Sequence, residues 1–524
     1  MVMPELLSDM IPPTMLLLSL GAAVVIFPMG ERRVRLRSWV NLLAAAVKLG
    51  LIVLLIPPVV TEGSRPEFSL PFLPGAGPGE SIDLVLRVDP LALFFAGLSS
   101  VLWLLTTVYA IGYLEGKPNR SRFFGFFSLC VTATVGISFS GNLITFLVFY
   151  ELLTLVTYPL VAHWGNPESV RAARTYLRYA LSGGVAVLIG VVWLTMAAGP
   201  VDFAEEGGAD AVAELAAREP VTAIVIFVLL VGGLGVKSAL FPLHAWLPAA
   251  MVAPAPVSAL LHAVAVVKAG VFGIVRVVDD VYGIDVAGEL GVLTPLLVVA
   301  CFTVLYGSYQ ALRQQELKRR LAYSTVSQVS YVVVGVTMMN VLATAGGVVH
   351  LVHQGIMKIT LFFCAGLFAE VLRAHTVHGL AGAGRRMPWT SAAFTVGAFG
   401  MIGLPPTAGF ISKWQLGTGA LAGDHGWVLW VLIASSLLNA AYFLPVVWAL
   451  WFRETDATDG SGGPAAEAEH HGQVAPARDR AREPLTLLVP TVLTAFFTLA
   501  LGLGAGAPFS PLQMAEFIAE AVFR

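Results

Sequence analysis

Lys237 and Lys268 lie in segments otherwise apolar enough to be buried in lipid, and Lys358 and Lys413 recur in similar settings further along the chain. An ammonium group at membrane depth costs ~2.5–3.5 kcal/mol on insertion scales, so by default it marks an ion or proton pathway. Burial disfavours the charged amine and a neighbouring carboxylate favours it, so changing such a pairing moves a proton. Glu151, in FLVFYELLTLVTYPL, is the one acid that hydropathy places deep in a span. His244 and His262 follow Lys237, while His350, His353 and Gln354 precede Lys358 in VVHLVHQGIMKITLFFCAG. Imidazoles titrate near neutrality and relay protons. On a helix Gln354 and Lys358 share a face, with His350 on its flank and His353 more than a quarter turn away. The residues thus predict a proton pathway through Glu151, Lys237, Lys268, His262, His350, Lys358 and Lys413, with His244, His353 and Gln354 as further relay candidates. The competing reading is that the charges only fix helix packing and the histidines bond backbone. That reading is preferred for Lys48, whose helix carries little other polarity.

The elements that must position these groups are membrane helices. Hydrophobic residues make up 57% of the 524 and charged residues only 12%, about half the charge of a soluble protein. This predicts an all-α polytopic membrane protein. Fourteen apolar segments are long enough to span, at about 12–29, 38–60, 90–112, 122–140, 142–162, 172–198, 221–246, 252–278, 290–312, 320–340, 344–372, 388–418, 426–452 and 485–506. Two of them are expected to break. Pro242 and Pro248 interrupt the seventh, and Gly-Leu-Pro-Pro interrupts the twelfth, with Lys413 following Pro406. Broken membrane helices survive only where protein or a wet cavity receives the freed carbonyls. The broken seventh and twelfth helices imply two units of five, helices four to eight and nine to thirteen. Units of odd number enter the membrane in opposite senses, so they would be inverted repeats, a layout that points to a transport site at mid-membrane.

The expected divisions are 1–120 for the first three helices, 121–280 and 281–453 for the two repeats, 454–484 for a flexible cytoplasmic linker, and 485–524 for the last helix and a tail. The tail PLQMAEFIAEAVFR has the pattern of a short interfacial amphipathic helix. Arg32, Arg33, Arg35, Arg37, Lys117, Arg171, Lys318, Arg319, Arg385 and Arg386 fall in loops on one side, whereas Asp279, Asp280, Glu205 and Glu206 fall on the other. The positive-inside rule then places both termini outside the cytoplasm of a cell (plasma or inner) membrane. The first apolar segment lacks a basic lead and is expected to be a retained helix.

Cys130, Cys301 and Cys364 are scattered, so no disulfide frame, zinc site or iron–sulfur cluster is expected, and no cofactor at all. The formal charge of −2 carries no sign of nucleic-acid binding. GLAGAG at 379–384 has no preceding strand, and Gly235-Val-Lys-Ser lacks the Gly-Lys adjacency of a phosphate loop. His375 and His378 lack further ligands for a metal.

KSALFPLHAWLPAAMVAPAPVSALLHAVAVVKAGV (237–271), HLVHQGIMKITLFFCAG (350–366) and GLPPTAGFISKW (403–414) resemble the antiporter-like subunits shared by Mrp-type cation/proton antiporters, proton-pumping NADH:quinone oxidoreductase (complex I) and membrane-bound hydrogenases. The resemblance covers nearly the whole chain. It implies a fourteen-helix fold, a Glu151–Lys237 pair, and roles for Lys268, His350, Lys358 and Lys413. The lysine on the twelfth helix looks like the D-type component of Mrp antiporters, while FPLHAWLPAAMVAPAPVSALLHA is closer to complex I and to the A-type Mrp component. The expectation is a proton-translocating subunit of a sodium (or other monovalent cation)/proton antiporter, with other membrane subunits as partners. The alternative is a proton-pumping arm of a NADH-quinone oxidoreductase or hydrogenase complex, and a non-transporting scaffold subunit is a third reading. On the first two readings the chain is a transporter subunit rather than an enzyme in its own right.

Overall fold

In the computed structural model, which describes residues 8–74, 81–204, 208–454 and 480–524, every apolar segment forms helix at its expected place. The helices are α1 (Ile11–Ile26), α2 (Val34–Ile56), α3 (Pro90–Tyr113), α4 (Arg120–Ser138), α5 (Leu143–Val161), α6 (Pro167–Ala198), α7 (Pro220–Lys237), α8 (Ala255–Tyr282), α9 (Leu293–Leu312), α10 (Leu317–Thr337), α11 (Val341–Leu372), α12 (Pro388–Ile402 and Ala408–Ala422), α13 (Trp427–Trp451) and α14 (Leu485–Leu503). Eleven have both the length and the hydropathy to cross a membrane unaided. The others are the shorter α1, the broken α12, and α10, whose serines, glutamine and basic first turn lower its hydropathy.

Local chemistry fixes several starts. Asp89, Asn142 and Asn340 accept hydrogen bonds from the backbone N–H groups of Ala92, Thr145 and Ala343, capping α3, α5 and α11. Pro90 follows its cap at the first helical position, where its missing N–H costs nothing.

The breaks come where the prolines fall. α7 stops at Lys237 and helix resumes at Trp246–Ala249, and α12 stops at Ile402 and resumes at Ala408. The Trp246 indole N–H donates to the Val236 carbonyl at 2.7 Å, beside the Ala239 N–H that the same carbonyl accepts, and so ties the resumed helix to the end of the first half.

α8 and α11 form the interior. The apolar window of α8 is 100% buried and that of α11 is 78% buried, against 33% for α13 and α14. Polar groups on α8 and α11 therefore face protein, while α13 and α14 present most of their surface outward.

The structure departs from expectation in three places. Between α2 and α3 the chain forms an antiparallel strand pair, β1 (Glu67–Pro74) with β2 (Ser81–Arg87), pairing Glu67 with Arg87 and Leu70 with Leu84. Asp210–Arg218 forms an additional short helix. Asp279 and Asp280, assigned to the outer loops, are instead buried together with Arg276, because α8 continues through a π-turn at Val277–Tyr282. Glu151 is thus not the only carboxylate taken into the interior. The amphipathic tail is helical as expected (α15, Pro511–Val522) and packs on α11. Residues 455–479 of the expected linker, and Glu205 and Glu206, lie outside the described residues.

Candidate functional site

Four lysines enter the interior on four helices, each held by carbonyls or hydroxyls. Lys237 ends the first half of α7. Its Nζ donates to the Tyr150 carbonyl of α5 at 2.5 Å and stands 3.2 Å from the centre of the Tyr150 ring. Glu151, the next residue, turns its carboxylate toward Gly184 of α6, the only kind of residue that leaves it room there. Glu151 Oε1 is buried with no hydrogen-bond partner among the described residues. The Glu151–Lys237 ion pair implied by family resemblance is therefore not closed: no contact within 4.0 Å joins them. The two remain within electrostatic reach. The amine is taken by a main-chain carbonyl, and the carboxylate is free to approach it.

Lys268 of α8 donates to the Leu351 carbonyl of α11 at 2.8 Å, joining two deeply buried helices. His262, one and a half turns earlier, sits on a π-turn (Leu260–Val264) against Phe362 at 4.6 Å. π-turns inside helices commonly occur at functional sites. Neither His262 nitrogen has a partner among the described residues.

On α11, His350 shares a 2.8 Å hydrogen bond between Nδ1 and Ser412 Oγ of α12 and stacks on Tyr331 of α10. Its Nε2, both nitrogens of His353, and both amide atoms of Gln354 are buried without partners among the described residues. Lys358 donates to Ser324 Oγ at 2.6 Å and to the Leu321 carbonyl at 3.3 Å, both on α10. From Ser324 a bonded line continues through the Tyr442 hydroxyl (2.7 Å) to Asn439 Oδ1 (2.6 Å), and Asn439 Nδ2 donates to the Met401 carbonyl (3.0 Å). That carbonyl also accepts from Lys413 at 2.9 Å.

Lys413 reaches back across the break of α12. It bonds the last carbonyls of the first half, Met401 and Ile402, each at 2.9 Å, and Ser436 of α13 at 3.1 Å. An ammonium at a helix C-terminus is favourable both as a donor and against the helix dipole. Lys237 ends its own half-helix before the break, whereas Lys413 comes after its break and caps backward. The two broken helices thus place an amine at the gap by different routes.

Electrostatic proximity joins the centre of this set. His350 is within reach of Lys268 and Lys413, and Lys358 is within reach of Lys268 and His262. His244 stands apart, in an aromatic surround of Phe241, Tyr306 and Tyr323. Lys48 lies in a separate network, donating to Ser19 at 2.8 Å beneath Trp103. Sequence reasoning missed Tyr150, Ser324, Tyr442, Asn439 and Ser412. The signal for one of them was present: Ser324, Gln328 and Tyr331 recur at helical spacing along α10.

Broken apolar helices around an interior row of amines and imidazoles define an antiporter-like membrane subunit. Residues 140–439 match the family profile "NADH:quinone oxidoreductase/Mrp antiporter, TM", and residues 78–124 match "NADH-Ubiquinone oxidoreductase (complex I), chain 5 N-terminus". The chain belongs to this NADH:quinone oxidoreductase/Mrp antiporter family. It is 35% identical over 436 residues to NADH-quinone oxidoreductase subunit N of Desulforudis audaxviator, covering 82% of this chain and 84% of that protein. It is 32% identical over 401 residues to a component of a "Probable K(+)/H(+) antiporter" of Rhizobium meliloti, covering 75% of this chain but only 38% of that longer protein. A chain in the structure of the Mrp complex from Dietzia sp. DQ12-45-1b has the same fold, with a TM-score of 0.83 at 24% identity over 99% of this chain and 98% of that one.

Proposed function

We propose that this multi-pass subunit translocates protons through Glu151, Lys237, Lys268, His262, His350, Lys358 and Lys413. The observation that carries the reading is the pairing of donor-rich lysines with buried imidazole and amide atoms that no group among the described residues satisfies, at His262, His350 Nε2, His353 and Gln354. Buried polar atoms are nearly always hydrogen-bonded, so these call for water. Water between fixed amines gives protons a route that dry side chains do not.

In the mechanism we infer, Glu151 approaches Lys237 and stabilises its ammonium form, and its withdrawal releases the proton toward Lys268. Lys268 passes it by way of His262 and His350 to Lys358 and Lys413. His353 and Gln354 orient solvent, and His244 sits beside rather than within the row. The work is divided between repeats at 121–280 and 281–453, preceded by helices at 1–120 and followed by the linker at 454–484 and the segment 485–524.

The assembly that supplies the driving force is the finer question. Our first reading is a plasma- or inner-membrane monovalent cation (Na+)/proton antiporter of several membrane subunits, with both termini outside the cytoplasm. The likeness to a NADH-quinone oxidoreductase subunit over most of both chains favours a second, redox-driven reading. Proteoliposomes holding the complete native assembly separate them. Sodium/proton exchange without an electron donor supports the first, and proton flux only with a donor supports the second. No proton movement under either condition refutes both.

A further inference from the structure

The outer end of α8 holds a charged cluster outside the lysine row. Arg276 is 1% exposed and bridges Asp89 at 2.6 Å and Asp280 at 2.5 Å. Asp279 beside it is 2% exposed, and neither of its carboxylate oxygens has a hydrogen-bond partner among the described residues. An unpaired buried carboxylate is among the most costly groups a protein can hold. Arg276 is committed to Asp89 and Asp280, and the other cation in reach of the cluster, Arg87, acts on Asp89, so neither guanidinium is bonded to Asp279. The cluster does not serve as a simple structural clamp, for Asp89–Arg276–Asp280 is already complete without Asp279.

Its place in the helix suggests its use. Asp279 lies eleven residues after Lys268, about three turns and ~16 Å further along α8, and returns near the Lys268 side. Between them Phe272 stacks on Phe95 at 4.6 Å, with the Arg276 guanidinium over the Phe272 ring at 5.1 Å. Beyond the cluster, a cavity of about 20 Å³ touches Asp89, Arg276, Asp280 and the α15 residues Ile518 and Val522. That is room for one water molecule.

We propose that Asp279 is a proton-release station for α8, on the β1–β2 side of the protein. Resting on the proton-translocation reading above, the step is an exit from that row: a proton shared between Lys268 and the groups beyond it leaves from the Lys268 ammonium, through water, to the Asp279 carboxylate. Lys268 becomes a neutral amine and Asp279 a carboxylic acid, which then gives its proton to solvent by the Arg276 cavity. The Phe95–Phe272 stack is the dry interval that opens for each transfer and prevents a standing leak.

The test uses the complete assembly in proteoliposomes, with Lys237→Ala as the control for the underlying reading. Asp279→Asn is expected to lower proton flux about 10²-fold, the scale of a lost general acid–base group. Carbodiimide, which captures protonated buried carboxyls, is expected to label Asp279 in the unmutated complex, with flux falling in step. Wild-type flux in an assembled Asp279→Asn complex overturns the inference. So does an Asp279 that stays unlabelled while the unmutated complex transports, a measurement that stands even if the variant fails to assemble. If Lys237→Ala also transports normally, the broader reading fails with it.

Discussion

Gly184 separates the function of Glu151 from its contribution to packing. A Cβ built on Gly184 would stand 2.6 Å from the Glu151 carboxyl carbon and 3.0 Å from Oε2, and its nearest contacts all belong to that side chain. Replacing Gly184 by Ala in the middle of α6 should therefore stabilise the helix by about 0.5–1 kcal/mol through reduced backbone freedom. Against this stands only the displacement of a flexible carboxylate whose Oε1 has no partner among the described residues to lose. The net expectation is a melting temperature unchanged or raised, with Glu151 pushed from its position beside Lys237. Misplacing a proton-transfer group by about 1 Å costs on the order of 10²-fold in rate. Gly183→Ala is the contrast. Its Cβ would meet the Gly233 carbonyl at 2.7 Å and Val236 Cβ at 2.9 Å, on rigid α7. Overpacking of this kind costs about 1–3 kcal/mol, so Gly183→Ala should lower the melting temperature. Proton flux and thermal unfolding of the purified assembly give both readouts. A Gly184→Ala complex that is stable and transports at the wild-type rate would refute the idea that the position of the Glu151 carboxylate matters.

Arg276→Met should cost about 3–5 kcal/mol, because it removes one partner of a buried charge pair to Asp89 and Asp280; a melting temperature equal to wild type would contradict this. Lys413→Ala removes donors to Met401, Ile402 and Ser436, so both stability and flux should fall, whereas a purely structural lysine would leave flux per assembled complex unchanged. In the loop after α5, burial foremost, with the Arg122 charge adding, pushes the His163 imidazole down to about 4. Between ~6.5 and that value the unfolded chain binds a proton that the folded one does not, so stability falls as pH drops through this window. His163→Gln should flatten that acid-side decline in a pH series of thermal melts. A reporter tethered within 455–484 should be protected from an external quencher, and an external signal would invert the proposed topology.

Helix positions were legible because a 20-residue apolar run has few alternatives in a bilayer, and α7 and α12 break at the prolines that announced them. Lys237, Lys268 and Lys358 could be named because an amine in an oily helix stands out by composition alone. Their partners could not. Tyr150 serves Lys237 through its main-chain carbonyl, which every residue possesses and no sequence pattern marks. Ser324, Tyr442 and Ser412 are ordinary interior hydroxyls until helix packing brings them to Lys358 and His350. The error at Asp279 and Asp280 has a different origin. Charge clusters near a helix end are normally solvated, and hydropathy carries no information about Phe203, Ala204 and α15 gathered around this end. The strand pair left a trace in the alternation of Ser81–Arg87, a period-two signal that a reading tuned to membrane helices passes over.

Lys268 stands at the centre of the row, on the most buried helix, with the Leu351 carbonyl as its hydrogen-bond partner. Lys268→Met keeps its length and removes its proton, so flux through the reconstituted complete assembly tests the account most directly. The account predicts an assembled complex whose proton flux drops to the level of passive leak. Flux at the wild-type rate would show that protons do not pass through the buried amines.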